Sequence, residues 1–200
     1  MALTSLGYND LPKKSLLVLE EDLGDYKRIF AQMIGAEAVK AGKEVIYVTP
    51  RAKEDVQGQM SLFGVNGDAG LKILEKFRDR FRLQESCGGD LCIVDGFSLL
   101  YAEAHPQEVY NILNTLSDVS RAGDRIIVLL SDAGVLPQKS EKILHAMADG
   151  VIQFNIVYEE DRINRYIKIP KLIGTSPQDK MLSFAVDEGR IYIDTRERFG

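Results

Sequence analysis

Tryptophan is absent from this 200-residue chain, and cysteine and histidine occur only twice each. Cys87 and Cys92 are too few to staple a chain of this length, so the fold must rest on a packed core, and the sparing use of thiols suits a reducing compartment. A metal centre needs several nitrogen, sulfur or carboxylate ligands brought together, and His105 and His145 lie far from the thiols in sequence. No run approaches the roughly 18 apolar residues of a membrane-spanning helix. The N-terminus, MALTSLGYNDLPKK, lacks the charged-then-apolar order of a secretory leader. Positive charge is not in excess either: 25 Lys and Arg stand against 30 Asp and Glu, a net charge of −5. A dedicated nucleic-acid binder is usually basic. These absences predict a cytoplasmic protein with neither a membrane nor a nucleic-acid partner.

What is present is ordinary globular material, 45% hydrophobic and 28% charged, enough to bury about 70% of the unfolded surface as a single domain over 1–200. Apolar runs at 16–19 (LLVL), 45–49 (VIYVT), 91–95 (LCIVD), 126–130 (IIVLL) and 151–157 read as buried strands. Between them, apolar residues recur at helical spacing over 26–41, 71–83 and 108–122, with a shorter helix at 141–148. The glycine-punctured stretch 52–70 reads as loop or short helix. Beyond residue 160, short runs at 165–169, 181–186 and 190–194, separated by turn signals (Gly174 with Pro177, then Asp187-Glu-Gly189), read as antiparallel strands. The expected fold is α/β, a three-layer sandwich whose mostly parallel central sheet ends in an antiparallel C-terminal edge.

In such sheets ligands gather at the carboxyl ends of the strands. The first of these reads LLVLEEDLGDYKRIF from Leu16 to Phe30. Pro12, this strand, Asp22, Gly24, Lys27 and the helix that follows resemble the phosphate-loop region of the RecA superfamily, in particular its KaiC-like branch. Gly42–Thr49 resembles the second strand of that branch, Asp90–Asp95 its Walker B strand and Ala148–Ile152 its ADGVI strand. Residues 165–174, with Phe184 and Asp187-Glu-Gly189, resemble its C-terminal hairpin. The resemblance spans nearly the whole chain and implies a RecA-like fold. It also implies stand-alone paralogues of the kind frequent in archaea, side-by-side assembly, and a nucleotide site drawn from Gly24, Lys27, Arg28, Asp95 and Lys171.

The departures from that pattern bear on function. A phosphate loop, G-x-x-x-x-G-K-[ST], uses its glycines for close backbone approach, its lysine for the β/γ-phosphates and its hydroxyl for Mg²⁺. Here Glu21 and Tyr26 replace the glycines and Arg28 replaces the hydroxyl; Gly24 and Lys27 persist. Where the family carries an acidic pair at the end of its second strand, this chain has Pro50 and Arg51. Lys171 matches a lysine that reaches a neighbouring subunit's nucleotide, whereas Ile173 replaces the arginine two residues on. Losing any of these groups costs several kcal/mol of transition-state stabilisation, and losing all of them leaves no route to hydrolysis. The expected protein is a catalytically inactive RecA/KaiC-like domain without cofactor. It would act as a regulatory or scaffolding partner of other protein subunits, RecA-type paralogues or further copies of itself among them. The alternatives are an ATP- and Mg²⁺-binding, weakly active ATPase relying on Lys27 and Asp95, and a recombination accessory that binds DNA through a basic helix.

Individual residues carry plainer readings beside these. Lys27 and Arg28 either form an anion site at a helix N-terminus or pair with Glu20, Glu21, Asp22 or Asp25 and fill the loop. Asp95 reads as a strand-end acid paired with Lys27. Lys72, Lys76, Arg78, Arg80 and Arg82 surround the predicted Phe77/Phe81 helix, and the interspersed Glu75 and Asp79 suit a solvated face. Met60, Leu62 and Phe63 either cover the sheet edge or dock another protein. Cys87 and Cys92 read as packing or loop thiols.

Overall fold

A computed structural model describes residues 11–22, 24–66, 70–160, 162–175, 181–187 and 190–199. The N-terminal ten residues, Pro177 and residues 188–189, which carry part of the leader and turn readings, lie outside them. Nine strands form one sheet: β1 (Leu16–Glu21), β2 (Val45–Val48), β3 (Lys72–Leu74), β4 (Leu91–Val94), β5 (Ile126–Asp132), β6 (Gly150–Tyr158), β7 (Ile163–Leu172), β8 (Met181–Asp187) and β9 (Arg190–Phe199). Their order is β3-β2-β4-β5-β1-β6-β7-β8-β9. Neighbours from β3 to β6 pair in parallel, and those from β6 to β9 antiparallel. The antiparallel edge and the five buried strands match the sequence reading.

Successive residues of a strand face opposite sides of its sheet, so β1 feeds two cores. Leu17 and Leu19 join Phe30, Ile34, Val56, Met60 and Phe154 on one face. Leu16 and Val18 join Phe97, Leu113, Leu116 and Leu144 on the other. The first face is covered by α1 (Tyr26–Lys40) and α2 (Lys53–Leu62). The second is covered by α3 (Leu83–Ser86), α4 (Phe97–Leu100), α5 (Pro106–Ala122) and α6 (Gln138–Met147).

One stretch differs from expectation. Residues 71–83 are not a helix: Lys72–Leu74 pairs with Ile46–Val48 as a parallel strand, Lys76 turns the chain at φ 53°, and a 3-10 turn spans Arg80–Arg82. The spacing of Leu71, Leu74, Phe77 and Phe81 imitates a helical face, but pairing along β2 outweighs local propensity. The basic residues around Phe77 therefore sit on a strand, a turn and a loop. Of the two readings open for 52–70, the structure takes the helix: Lys53–Leu62 is ten residues long, and Val56 and Met60, four apart, are its buried contacts.

Candidate functional site at the carboxyl ends of the central strands

β4, β5 and β1 lie side by side, and an acid stands at the carboxyl end of each: Asp95, Asp132 and Glu21. Glu21 is the direct register partner of Asp132. The first turn of α1 answers all three acids.

Glu21 folds back over the start of that helix. Its Oε2 accepts the backbone N–H of Lys27 at 3.0 Å, and a Cβ built on Gly24 would come within 2.5 Å of its Oε1. Gly24 has φ 131°, a conformation that L side chains avoid, so the loop needs glycine both for its backbone and for this close approach. The carboxylate is 1% exposed, and Oε1 has no hydrogen-bond partner among the described residues. Burial raises its pKa above the ordinary value. The Lys27 and Tyr26 N–H groups and the Lys27 charge oppose that shift, and the Asp132 charge adds to it.

Lys27 is buried, with Nζ 2.6 Å from Asp132 Oδ1 and 3.4 Å from the Gly24 carbonyl. Ser98 holds the same carboxylate: its Oγ donates to Oδ2 at 3.1 Å and accepts the Asp132 N–H at 2.9 Å. Arg28 directs Nε to both oxygens of Asp95 at 3.0 Å and Nη1 to Asp25. Asp95 Oδ2 also accepts from Thr49 Oγ1 at 2.9 Å and from the Tyr47 hydroxyl at 3.3 Å. Burial works against the Arg28 charge, but the Asp95 carboxylate, together with Tyr47 and Asp132, more than offsets it and holds the guanidinium firmly protonated. Burial, followed by the same carboxylate, pushes the Tyr47 phenol well up.

The sequence reading is thus corrected in detail. Lys27 pairs with Asp132, which the sequence reading did not single out, and Asp95 pairs with Arg28 rather than with Lys27. Of the four flanking acids, Asp25 takes Arg28 and Glu21 takes backbone N–H, while Asp22 is exposed. Glu20, on the opposite face of β1, binds His145 Nε2 and Gln153 Nε2, each at 2.7 Å. The Tyr26 ring does not crowd the loop; it stacks edge-on against Phe184 at 5.3 Å, and its hydroxyl accepts from Arg165 at 3.0 Å. Lys171 stands apart from this cluster, beside the amino end of β6, where Nζ donates to the Ala146 carbonyl in the last turn of α6 at 3.0 Å. The signal for Asp132 was available, since it closes an apolar run just as Asp95 does. Nothing in the sequence marked Ser98.

A triphosphate and Mg²⁺ are the groups such a loop ordinarily receives. The residues here do not fit them. A carboxylate already occupies the amide donors that phosphate would use, and a guanidinium already occupies the carboxylate that would face a cation. Among the described residues no cluster of three or more His, Cys, Asp or Glu is placed to hold a metal, and no helix is long and apolar enough to cross a membrane.

No protein-family model and no curated protein matches the sequence. Solved structures do match. The flagellar accessory protein FlaH from Methanocaldococcus jannaschii superposes with a TM-score of 0.80 at 19% identity, over 92% of this chain and 91% of that one. The KaiC-like protein PH0186 from Pyrococcus horikoshii OT3 gives 0.73 at 20% identity, with the same coverage. The chain has the RecA/KaiC-like fold.

Proposed function

We propose that this chain is a nucleotide-free member of the P-loop-type fold that works through protein contacts, as a regulatory or scaffolding subunit rather than as an ATPase. The observation that carries this reading is the Glu21 carboxylate on the Lys27 N–H. It is an intramolecular anion seated where the fold would receive phosphate, and displacing it would leave a buried charge without donors. Arg28 on Asp95 plays the matching part for the cation. One of the similar structures is described as an accessory protein, and an accessory role within a larger assembly, among RecA-type paralogues, agrees with a filled loop.

The test is a thermal-shift titration with ATP and with ADP, with and without Mg²⁺. The native chain is expected to show no ligand-dependent rise in Tm. The triple variant Glu21→Gly, Tyr26→Gly, Arg28→Thr, which restores the phosphate-loop pattern, is expected to gain one, because a ligand bound only by the folded state stabilises it. A rise of several degrees in the native protein, lost in Lys27→Ala, would establish an ATP-binding domain instead.

A further inference from the structure

β9 is the last strand of the sheet and, among the described residues, pairs only with β8. A strand with a neighbour on one side leaves alternate N–H and C=O groups along its other side without a ladder partner. The two edges of this sheet differ. The far edge, β3, is three residues long and opens on Lys72, the short, charged form that discourages further pairing. β9 spans ten residues and contains neither proline nor lysine. Its pairing with β8 is regular over 190–194, and the register then shifts between Leu182 and Ser183, which leaves 195–197 without partners on β8.

The open edge therefore presents one regular segment, Arg-Ile-Tyr-Ile-Asp over 190–194. Ile191 and Ile193 lie on the face of the first core and are partly buried against it. Tyr192, on the other face, is 49% exposed. The segment is complementary to itself. Run antiparallel to a copy about a two-fold axis at Tyr192, it sets Tyr192 opposite Tyr192, Ile191 opposite Ile193 and Arg190 opposite Asp194, each in both directions. Moving the axis by one residue brings Arg190 or Asp194 opposite Tyr192 and leaves the charges unmatched. Moving it by half a residue sets the core face of one strand against the opposite face of the other.

We infer that β9 is the docking edge for β9 of a second copy of this chain, paired antiparallel over 190–194 about an axis at Tyr192. Isoleucine meets isoleucine, tyrosine meets tyrosine, and an opposite-charge pair closes each end, which favours a copy over an unrelated strand. The pairing also closes on itself: it uses the β9 edge of both copies, and β3 is too short to carry the sheet further. Five residues from each strand make a small contact, so the dimer is weak and forms at high concentration. The assignment deepens the protein-contact reading above and rests on it, naming the partner and the surface. It needs no nucleotide between the copies.

Disulfide trapping reads this register directly. Opposed residues of antiparallel strands have Cα atoms about 4.5–5.5 Å apart, within the roughly 4.4–6.8 Å that a disulfide spans. Tyr192→Cys in the full chain, incubated with oxidised glutathione, is expected to give a covalent dimer that a reductant reverses. Ile191→Cys and Ile193→Cys should each stay at the background of the native chain, whose two cysteines are buried, because like residues then lie on the diagonal, about 7–8 Å apart. An equimolar mixture of those two variants should cross-link, since each faces the other. Sedimentation velocity of the native chain from about 1 to 500 µM should show dimer growing with concentration. Arg190→Asp sets two aspartates opposite each other at both ends and should raise the dimer dissociation constant about tenfold; adding Asp194→Arg should restore it. Circular-dichroism melts verify that the variants fold. A native chain that stays monomeric, a Tyr192→Cys chain that gives no covalent dimer, or equal cross-linking at 191, 192 and 193 would overturn the assignment. Nucleotide binding in the separate titration would overturn the filled-loop reading and leave the trapping result standing.

Discussion

Arg28 Nε stands 3.0 Å from both carboxylate oxygens of Asp95, although 67 positions separate the two residues. Asp95 is 1% exposed, and the guanidinium is its sole charged partner among the described residues, in a setting where an unpaired charge is costly. Arg28→Ala should therefore destabilise the fold by about 3–5 kcal/mol in urea denaturation. Asp95→Ala, which strands the cation, should cost a comparable amount. The double variant should cost clearly less than the sum of the two, and a double-mutant cycle measures that coupling. Additive costs would show that the pair contributes nothing of its own.

Glu21 gives a pH signature. Its folded pKa lies above the ordinary value of 4.5, chiefly because it is buried. The folded chain thus holds this proton more tightly than the unfolded chain. Stability falls as pH rises from the unfolded value through the folded one, and above that window the penalty is complete. Glutamine keeps an acceptor for the Lys27 N–H and cannot ionise. The Tm of Glu21→Gln, relative to the native chain, should rise as pH climbs from about 4.5 through the raised folded value and then level off. A pH-independent difference would show that the carboxylate ionises freely in the fold.

Gly24→Ala brings a methyl group to within 2.5 Å of Glu21 Oε1, at a backbone φ of 131°. A loss of about 1–3 kcal/mol is expected from the strained backbone and the clash together. In Glu21→Ala the clash disappears and only the backbone strain remains, so adding Gly24→Ala to that variant should cost measurably less. Equal costs in the two backgrounds would mean that Glu21 does not press on the loop.

Both thiols are buried. The neighbouring Cys87 thiol and then burial hold Cys92 well above the ordinary thiol range, and the thiolate is the reactive form. A thiol reagent such as DTNB should leave the native protein unmodified over hours and titrate both cysteines once the chain is denatured. Fast modification of the native protein would place one of them at the surface.

The RecA-like resemblance and the strands of the central sheet were legible in the sequence because their signals are local. Leu16–Leu19 is too short and too uniformly apolar for anything but a buried strand, and α1 shows its period from Ile29 to Ala38. The reading of 71–83 failed because three residues joined an edge of the sheet through β2, a contact that no local pattern announces. For 52–70 the glycines left loop and short helix both open, and the helix over 53–62 carries one of them, Gly58, facing open space.

The sequence by itself determined that an acid stands in place of the first glycine of the loop and an arginine in place of its hydroxyl. It also placed a lysine and four carboxylates within a few residues of one another. Which charges meet was decided only by the tertiary structure. The order β4-β5-β1 aligns Asp95, Asp132 and Glu21 at one end of the sheet, and α1, packed across them, delivers Arg28 to the first, Lys27 to the second and a backbone N–H to the third. Burial then fixes the choice. A charge taken out of water requires the partner that the fold sets beside it, and neighbours in sequence that remain in solvent, such as Asp22, exert no comparable pull.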